Sequence, residues 1–395
     1  MIVSGPPGRE IRLSAVVMTH PARLAEAHRL RDLHPDLDLR VAIDPSPDRK
    51  GYNLDAARTA WSAVADRATH HLVIEDDVIL CRGFLHRVLE LISAQPRAAV
   101  SLFAEWGSLT ASLVRVAATA GIAFAEVVDL HMPHLALVLP AEVARGFDGF
   151  AATAIGPKAC DIVMLRYLRR AGVDRYVSIP GLIEHRQLPS IVGPYNDRQG
   201  RRQAACFLPE VTGPVPGEAV LAGLGVVPNL AWTTASVVFE HRIRGEESAD
   251  ELWMPVPAAE LLADRGMADP ALSGEFRAAV AAIGDLDRVC DRVGDRALRA
   301  LWTTAYSLGL MAASTGRLPG DPAGEPVARA ALGTLAPGGL RRLVPGADLD
   351  WLSGQLAPLT LAAVGYALSE ARAGRAELID GPGVSSRRLK LAETF

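Results

Sequence analysis

The chain is poor in cysteine. Its 395 residues hold four, Cys81, Cys160, Cys206 and Cys290, spread far apart. They show no paired spacing, which argues against both a zinc site and a disulfide framework and points to reduced thiols. Excess charge is also missing. Lys and Arg total 41 against 45 Asp and Glu, a formal charge of −4, so bulk electrostatics give no reason to expect nucleic acid as a partner. Arg198, Arg201 and Arg202 gather in one short stretch, which reads as a solvated loop. No basic start with a long apolar run opens the sequence, so no secretory signal is expected and a cytoplasmic location is. One uncharged stretch, 219–239, has the length to cross a bilayer, but Pro228, Asn229, Thr233, Thr234 and two glycines interrupt it. It reads as buried elements separated by a Pro-Asn turn, with no membrane span.

Hydrophobic residues make up 49% and charged residues 22%, ordinary for a folded chain of one or two domains. From residue 11 to about 180, strand-like and helix-like segments alternate. Strands are expected at 13–19, 39–43, 71–75, 99–103, 135–139 and 176–179. Helices are expected from Pro21 to about Leu33 and at 54–67, 84–94, 109–120 and 160–171. Short strand–helix connections imply a mostly parallel α/β sheet sandwiched by helices. Beyond Gly213 the texture changes to alanine- and leucine-rich stretches punctuated by Gly and Pro, such as 270–283 and 296–313. The expected division is therefore a domain over 1–210 and a mostly helical region over 211–395, which could bind an acceptor, drive homo-oligomerisation or cover the sheet.

The richest segment is His71-Leu72-Val73-Ile74-Glu75-Asp76-Asp77-Val78-Ile79-Leu80. A short buried strand runs into three consecutive acids. Adjacent carboxylates repel, so a positive group is expected beside them, and a divalent cation with oxygen ligands is the simplest candidate. The alternative is a solvated helix N-terminus. The first three strands each end in polar residues: Thr19-His20, then Asp44, then the triplet. In open α/β sheets such ends line one ligand-binding edge.

This strand with Glu75-Asp76-Asp77 resembles the D-x-D-type signature of GT-A fold glycosyltransferases, in the Glu-Asp-Asp variant of bacterial members. The resemblance covers about residues 11–195 and implies a GT-A-like (Rossmann-like) catalytic domain. It further implies a nucleotide-diphosphate sugar as donor, a divalent metal (manganese or magnesium) as cofactor, and hexosyl transfer to an unidentified acceptor hydroxyl. By the same resemblance, Thr19-His20-Pro21 would lie under the nucleotide and Asp44 would meet the base or ribose. Asn53 and Arg58, in Gly51-Tyr52-Asn53-Leu54-Asp55-Ala56-Ala57-Arg58, would face the donor, as would Glu75 and Asp76. Asp77, Glu75 and His185 would hold the metal, and Ser190 would lie near the phosphates. Asp161, at the start of its helix, would be the catalytic base, with Asp148 its nearest rival. Trp106 and Glu105 are weaker candidates for sugar or acceptor contact.

Two other readings stand beside this one. A nucleotidyltransferase would make the nucleotide sugar, but Thr19-His20-Pro21-Ala22-Arg23 lacks the glycine-rich loop that chemistry favours. A non-catalytic binding protein on a degenerate fold is the other.

Overall fold

The computed structural model describes residues 2–4, 10–49, 53–155, 159–189, 191, 200–211, 213, 217–244, 251–264, 269–317 and 320–375. β1 (Ile2–Ser4) precedes β2 (Glu10–Thr19), α1 (Leu24–Leu33), β3 (Arg40–Ile43), α2 (Leu54–Ser62), β4 (His70–Glu75) and β5 (Val78–Leu80). Then come α3 (Phe84–Ala94), β6 (Ala99–Ser101), α4 (Leu109–Ala120), β7 (Phe124–Glu126), β8 (Ala136–Pro140), α5 (Ala141–Thr153), α6 (Cys160–Arg170), β9 (Arg175–Ser178) and β10 (Ile183–His185).

The central sheet runs β1-β2-β4-β8-β6-β9-β7-β11, with β3 also paired to β2 and β11 being Val220–Leu221. β2, β3, β4, β6 and β9 share one direction; β8 enters antiparallel between β4 and β6, and β7 antiparallel beside β9. The expected α/β architecture, a large mostly parallel sheet with helices on both faces, is the one formed. The period-2 alternation of the strands decides which side chain goes where. Ala15, Val17, Leu72 and Ile74 pack with α1 and α3 on one face. Val16, Met18 and Val73 pack with α2, α5 and α6 on the other. Both faces are buried, which is why these strands read as unbroken apolar runs.

The helix expected over 54–67 ends at Ser62. Ala63 is held outside it by Arg40, whose guanidinium donates to the Ala63 carbonyl, while Ser14 Oγ accepts from the Ala65 amide at 3.2 Å. Tertiary partners replace the next helical turn.

The region after 211 begins with strands. β12 (Val226–Ala231), β13 (Ser236–Arg244) and β14 (Glu251–Pro257) form a three-stranded antiparallel sheet. The expected Pro-Asn turn is absent: Pro228 and Asn229 lie inside β12, opposite Phe239 and Val238. β12 is an edge strand, where a missing amide donor is tolerated, and the chain reverses instead at Trp232–Ala235. Helices follow: α7 (Ala258–Asp264), α8 (Gly274–Ala281), α9 (Leu286–Ser314, broken at Gly294), α10 (Pro326–Gly333), α11 (Leu335–Leu340) and α12 (Leu349–Arg372). The helical character expected there is present, preceded by this small sheet. One apolar core joins α4, β12, α9, α11 and α12 through residues such as Trp106, Leu113, Leu230, Leu301, Leu340 and Val364. This packing places the small sheet and α11 against the edge of the central sheet, where they form one wall of a cleft. Among the described residues no helix is long and apolar enough to cross a membrane.

Candidate active-site cleft

A cleft of about 960 Å³ opens where β2, β3 and β4 end. Thr19, His20, Asp44, Asn53, Glu75, Asp76, Asp77, Glu105, Asp161 and His185 all line it. Residues up to 166 positions apart in sequence thus meet at one sheet edge, as the strand order requires. The remaining expected residues are placed otherwise. Arg58 pairs with Asp148 at 2.7 Å, and neither lines the cleft. Pro21 starts a short 3-10 helix that His20 caps, its Nδ1 accepting from the Ala22 amide. Trp106 is buried in the C-terminal core and donates from Nε1 to the Arg201 carbonyl. Ser190 lies outside the described residues.

Asp76 and Asp77 share Arg23, while Glu75 has a partner of its own. β4 buries Leu72, Val73 and Ile74 completely or nearly so, each worth roughly 1.5–3 kcal/mol, and this offsets part of the cost of drawing acids in behind them. Asp76 accepts from the Thr19 hydroxyl and from Arg23 at 3.3 Å. Asp77 Oδ2 takes Arg23 Nη1 at 2.7 Å and faces His185 Nε2 at 3.4 Å. The Arg23 side chain is 16% exposed, those of Asp76 and Asp77 6% and 8%. The positive group that the triplet demanded is therefore present within the chain, at the end of the short 3-10 helix after β2. Arg23 was not singled out from sequence. Its signal was a lone arginine four residues beyond the strand end, which only the sheet order could bring to the acids.

Burial pushes the Asp76 carboxyl up to about 6, with its neighbour Asp77 adding to the rise while Thr19 and Arg23 resist it. Burial also works against an ionised Asp77. There, hydrogen bonds and charge from His185 and Arg23 win and hold the carboxyl down at about 2. Neighbouring carboxylates are thereby driven apart in acidity. Asp77 Oδ1 is buried and has no hydrogen-bond partner.

His185 reaches Asp77 because β10 pairs with β5, the strand directly after the triplet. His185 lies opposite Val78, and the Arg186 amide donates to the Asp77 carbonyl. Gly181 makes that path possible: a Cβ there would sit 2.9 Å from the Leu102 carbonyl oxygen. The Gln187 amide bonds both backbone groups of Arg202, which fixes its orientation, and its nitrogen donates to His185 Nδ1 at 2.8 Å. The imidazole proton then belongs on Nε2, directed at Asp77.

Glu75 turns elsewhere. Its carboxylate meets His134 Nδ1 at 2.6 Å, and His134 Nε2 lies 3.2 Å from Cys160 Sγ. Burial disfavours an imidazolium at His134, yet the Cys160 sulfur and Glu75 together raise its pKa well above the ordinary value. Burial pushes the Cys160 thiol up. This chain, with Asn53 Oδ1 accepting the Cys160 amide at 3.0 Å, seats the first turn of α6 and so places Asp161 in the cleft. His134 and Cys160 were not singled out from sequence, because neither carries a motif.

Among the described residues no group of three or more His, Cys, Asp or Glu is disposed to hold a metal ion. Of the three expected ligands, Asp77 and His185 come together and Glu75 is committed to His134. A scan against protein-family models finds no match to this chain, and a search of curated proteins finds no similar sequence.

Proposed function

We propose that this chain is a glycosyltransferase of GT-A type. In this reading it moves a sugar from a nucleotide diphosphate to an acceptor hydroxyl, with a divalent cation at Asp77. One observation carries the reading. At the end of β4, Asp77 keeps a buried, unpartnered carboxylate oxygen, Oδ1, in the cleft where three strand ends meet. An anionic atom left without a partner at that depth is costly, and a bound cation would satisfy it. The donor's phosphate oxygens would have to supply most of the remaining ligands, since the described residues offer no full cage.

The cation would stabilise the charge that develops on the leaving diphosphate. The chain's own residues do the rest. His185 and Arg23 keep Asp77 ionised and aligned. Asp44 and Asn53 line the floor beside the donor. Asp161, half-buried at the start of α6, takes the proton from the acceptor hydroxyl as its oxygen bonds to the anomeric carbon, and the bond from that carbon to the diphosphate oxygen breaks. Glu75 and His134 hold α6 in place for that transfer.

The test is donor binding. UDP and GDP should raise the melting temperature with manganese or magnesium and much less with EDTA, because a ligand bound only to the native state stabilises by mass action. Asp77→Asn should remove the metal-dependent part, and Asp161→Asn should keep it while losing transfer. A wild-type chain indifferent to both nucleotides with every metal tried ends the reading.

A further inference from the structure

We propose that the C-terminal wall of the cleft is a saccharide-binding subsite with Trp232 as its platform. Its role as the acceptor's place rests on the glycosyltransferase reading; the binding itself does not. The cleft volume of about 960 Å³ lies at the top of the ~300–1,000 Å³ that one small ligand usually occupies. Its lining comes from different parts of the chain. The end of β4 supplies the acids. β12, β13 and the turn between them supply Asn229, Trp232 and Glu240.

Trp232 is held before any ligand arrives. The Arg341 guanidinium covers its ring at 4.3 Å from the centroid. That arginine is in turn fixed by Glu105 at 2.7 and 3.4 Å, with its side chain only 1% exposed. The lock needs Gly107, because a Cβ there would fall 2.1 Å from Arg341 Nη1. An immobilised indole loses little entropy when a ring stacks on it.

The second observation is Asp129, also in the cleft and 7% exposed. Its Oδ1 caps α4, accepting from the Leu109 and Thr110 amides at 2.9 and 3.4 Å. Its Oδ2 is buried with no partner. That oxygen calls for a hydroxyl donor. Glu240 lines the same wall, and burial pushes its carboxyl up. Arg341 is paired with Glu105, and Arg342 lies 5.8 Å from the Trp232 ring centroid; the unpartnered Asp129 oxygen asks for a donor, which a ring bearing hydroxyls supplies and an anion does not. An aromatic face for C–H groups and carboxyls for O–H groups together fit a sugar.

The test uses the full chain with methyl β-glucoside, methyl β-galactoside and methyl α-mannoside, followed by saturation-transfer NMR titration. At least one should bind saturably. Trp232→Ala should weaken it by about tenfold or more, and Trp232→Phe, which keeps a stacking ring, by less than about threefold. Asp129→Asn, which keeps Oδ1 for the α4 cap, should weaken it by about tenfold and decides the matter should Trp232→Ala fail to fold. No binding by any of the three glycosides, or equal binding by folded Trp232→Ala or Asp129→Asn, overturns the proposal. Failure of the wild-type chain to bind nucleotide diphosphate would instead strike the transfer reading alone.

Discussion

Replacing Arg23 by Met keeps most of the side-chain stem and removes the one positive charge that both Asp76 and Asp77 contact. The two carboxylates stay 6% and 8% exposed, too deep for water to take over. Removing one partner of a buried ion pair costs about 3–5 kcal/mol, because the other charge is left uncompensated. At about 2.1 cal/mol/K per residue, a chain of this length unfolding as a unit should lose about 4–6 °C of melting temperature. The loss should depend on pH in a fixed direction. Asp76 already sits at about 6 rather than 3.8, and without Arg23 it moves higher still. Lowering the pH from 8 to 5 lets Asp76 take a proton, so the gap between variant and wild type should narrow. The assay is differential scanning fluorimetry of both proteins across that range. A drop below about 1 °C at pH 8, or a gap that widens toward pH 5, would refute the claim that Arg23 is the internal counter-ion of the triplet.

His71 provides a second test, this time on acid stability. It is fully buried between Ser14 Oγ and the Ala60 carbonyl, and burial holds its pKa at about 4 against an ordinary 6.5. The unfolded chain therefore binds the proton first. Stability is present above pH 6.5 and is lost as the pH falls toward 4, by on the order of 3 kcal/mol. Asp76 works in the opposite sense between 3.8 and about 6, since its raised pKa adds stability as the pH falls. Melting curves of His71→Asn should show a flatter acid limb than wild type, and an unchanged limb would count against this assignment. A third test probes packing. A Cβ at Gly309 would lie 2.7 Å from the Ala367 Cβ and 3.0 Å from the Val364 carbonyl oxygen, so α9 and α12 touch there backbone to backbone. Gly309→Val should cost about 1–3 kcal/mol by overpacking, and a melting temperature equal to wild type would show that the helices can separate freely.

The α/β half of the molecule was legible because its strands are short, apolar and closed by polar ends. Leu72-Val73-Ile74 can be little else when three acids follow. The region after 211 was harder to read. β12 carries Pro228 and Asn229 within the strand, and this mimics a turn unless the strand is known to sit at an edge. The long-range antiparallel pairing of β5 with β10 was invisible, although the segments that carry both strands had been singled out as chemistry.

Local order in the chain by itself determined which residues are acidic, where strands give out, and hence that one sheet edge would gather Thr19, Asp44 and the triplet. An apolar run and the polar residues that stop it are local features, so they are written there. Only the tertiary structure decided the partners: Arg23 for Asp76 and Asp77, His134 for Glu75, Cys160 for His134, and the gathering of Trp232 and Asp129 in the same cleft. Electrostatic pairing depends on distances of a few ångströms between residues fifty or more positions apart, such as Arg23 with Asp76 and Asp77 and Glu75 with His134. Those distances are set by sheet order and by the packing of the C-terminal core against α4, which no local pattern records.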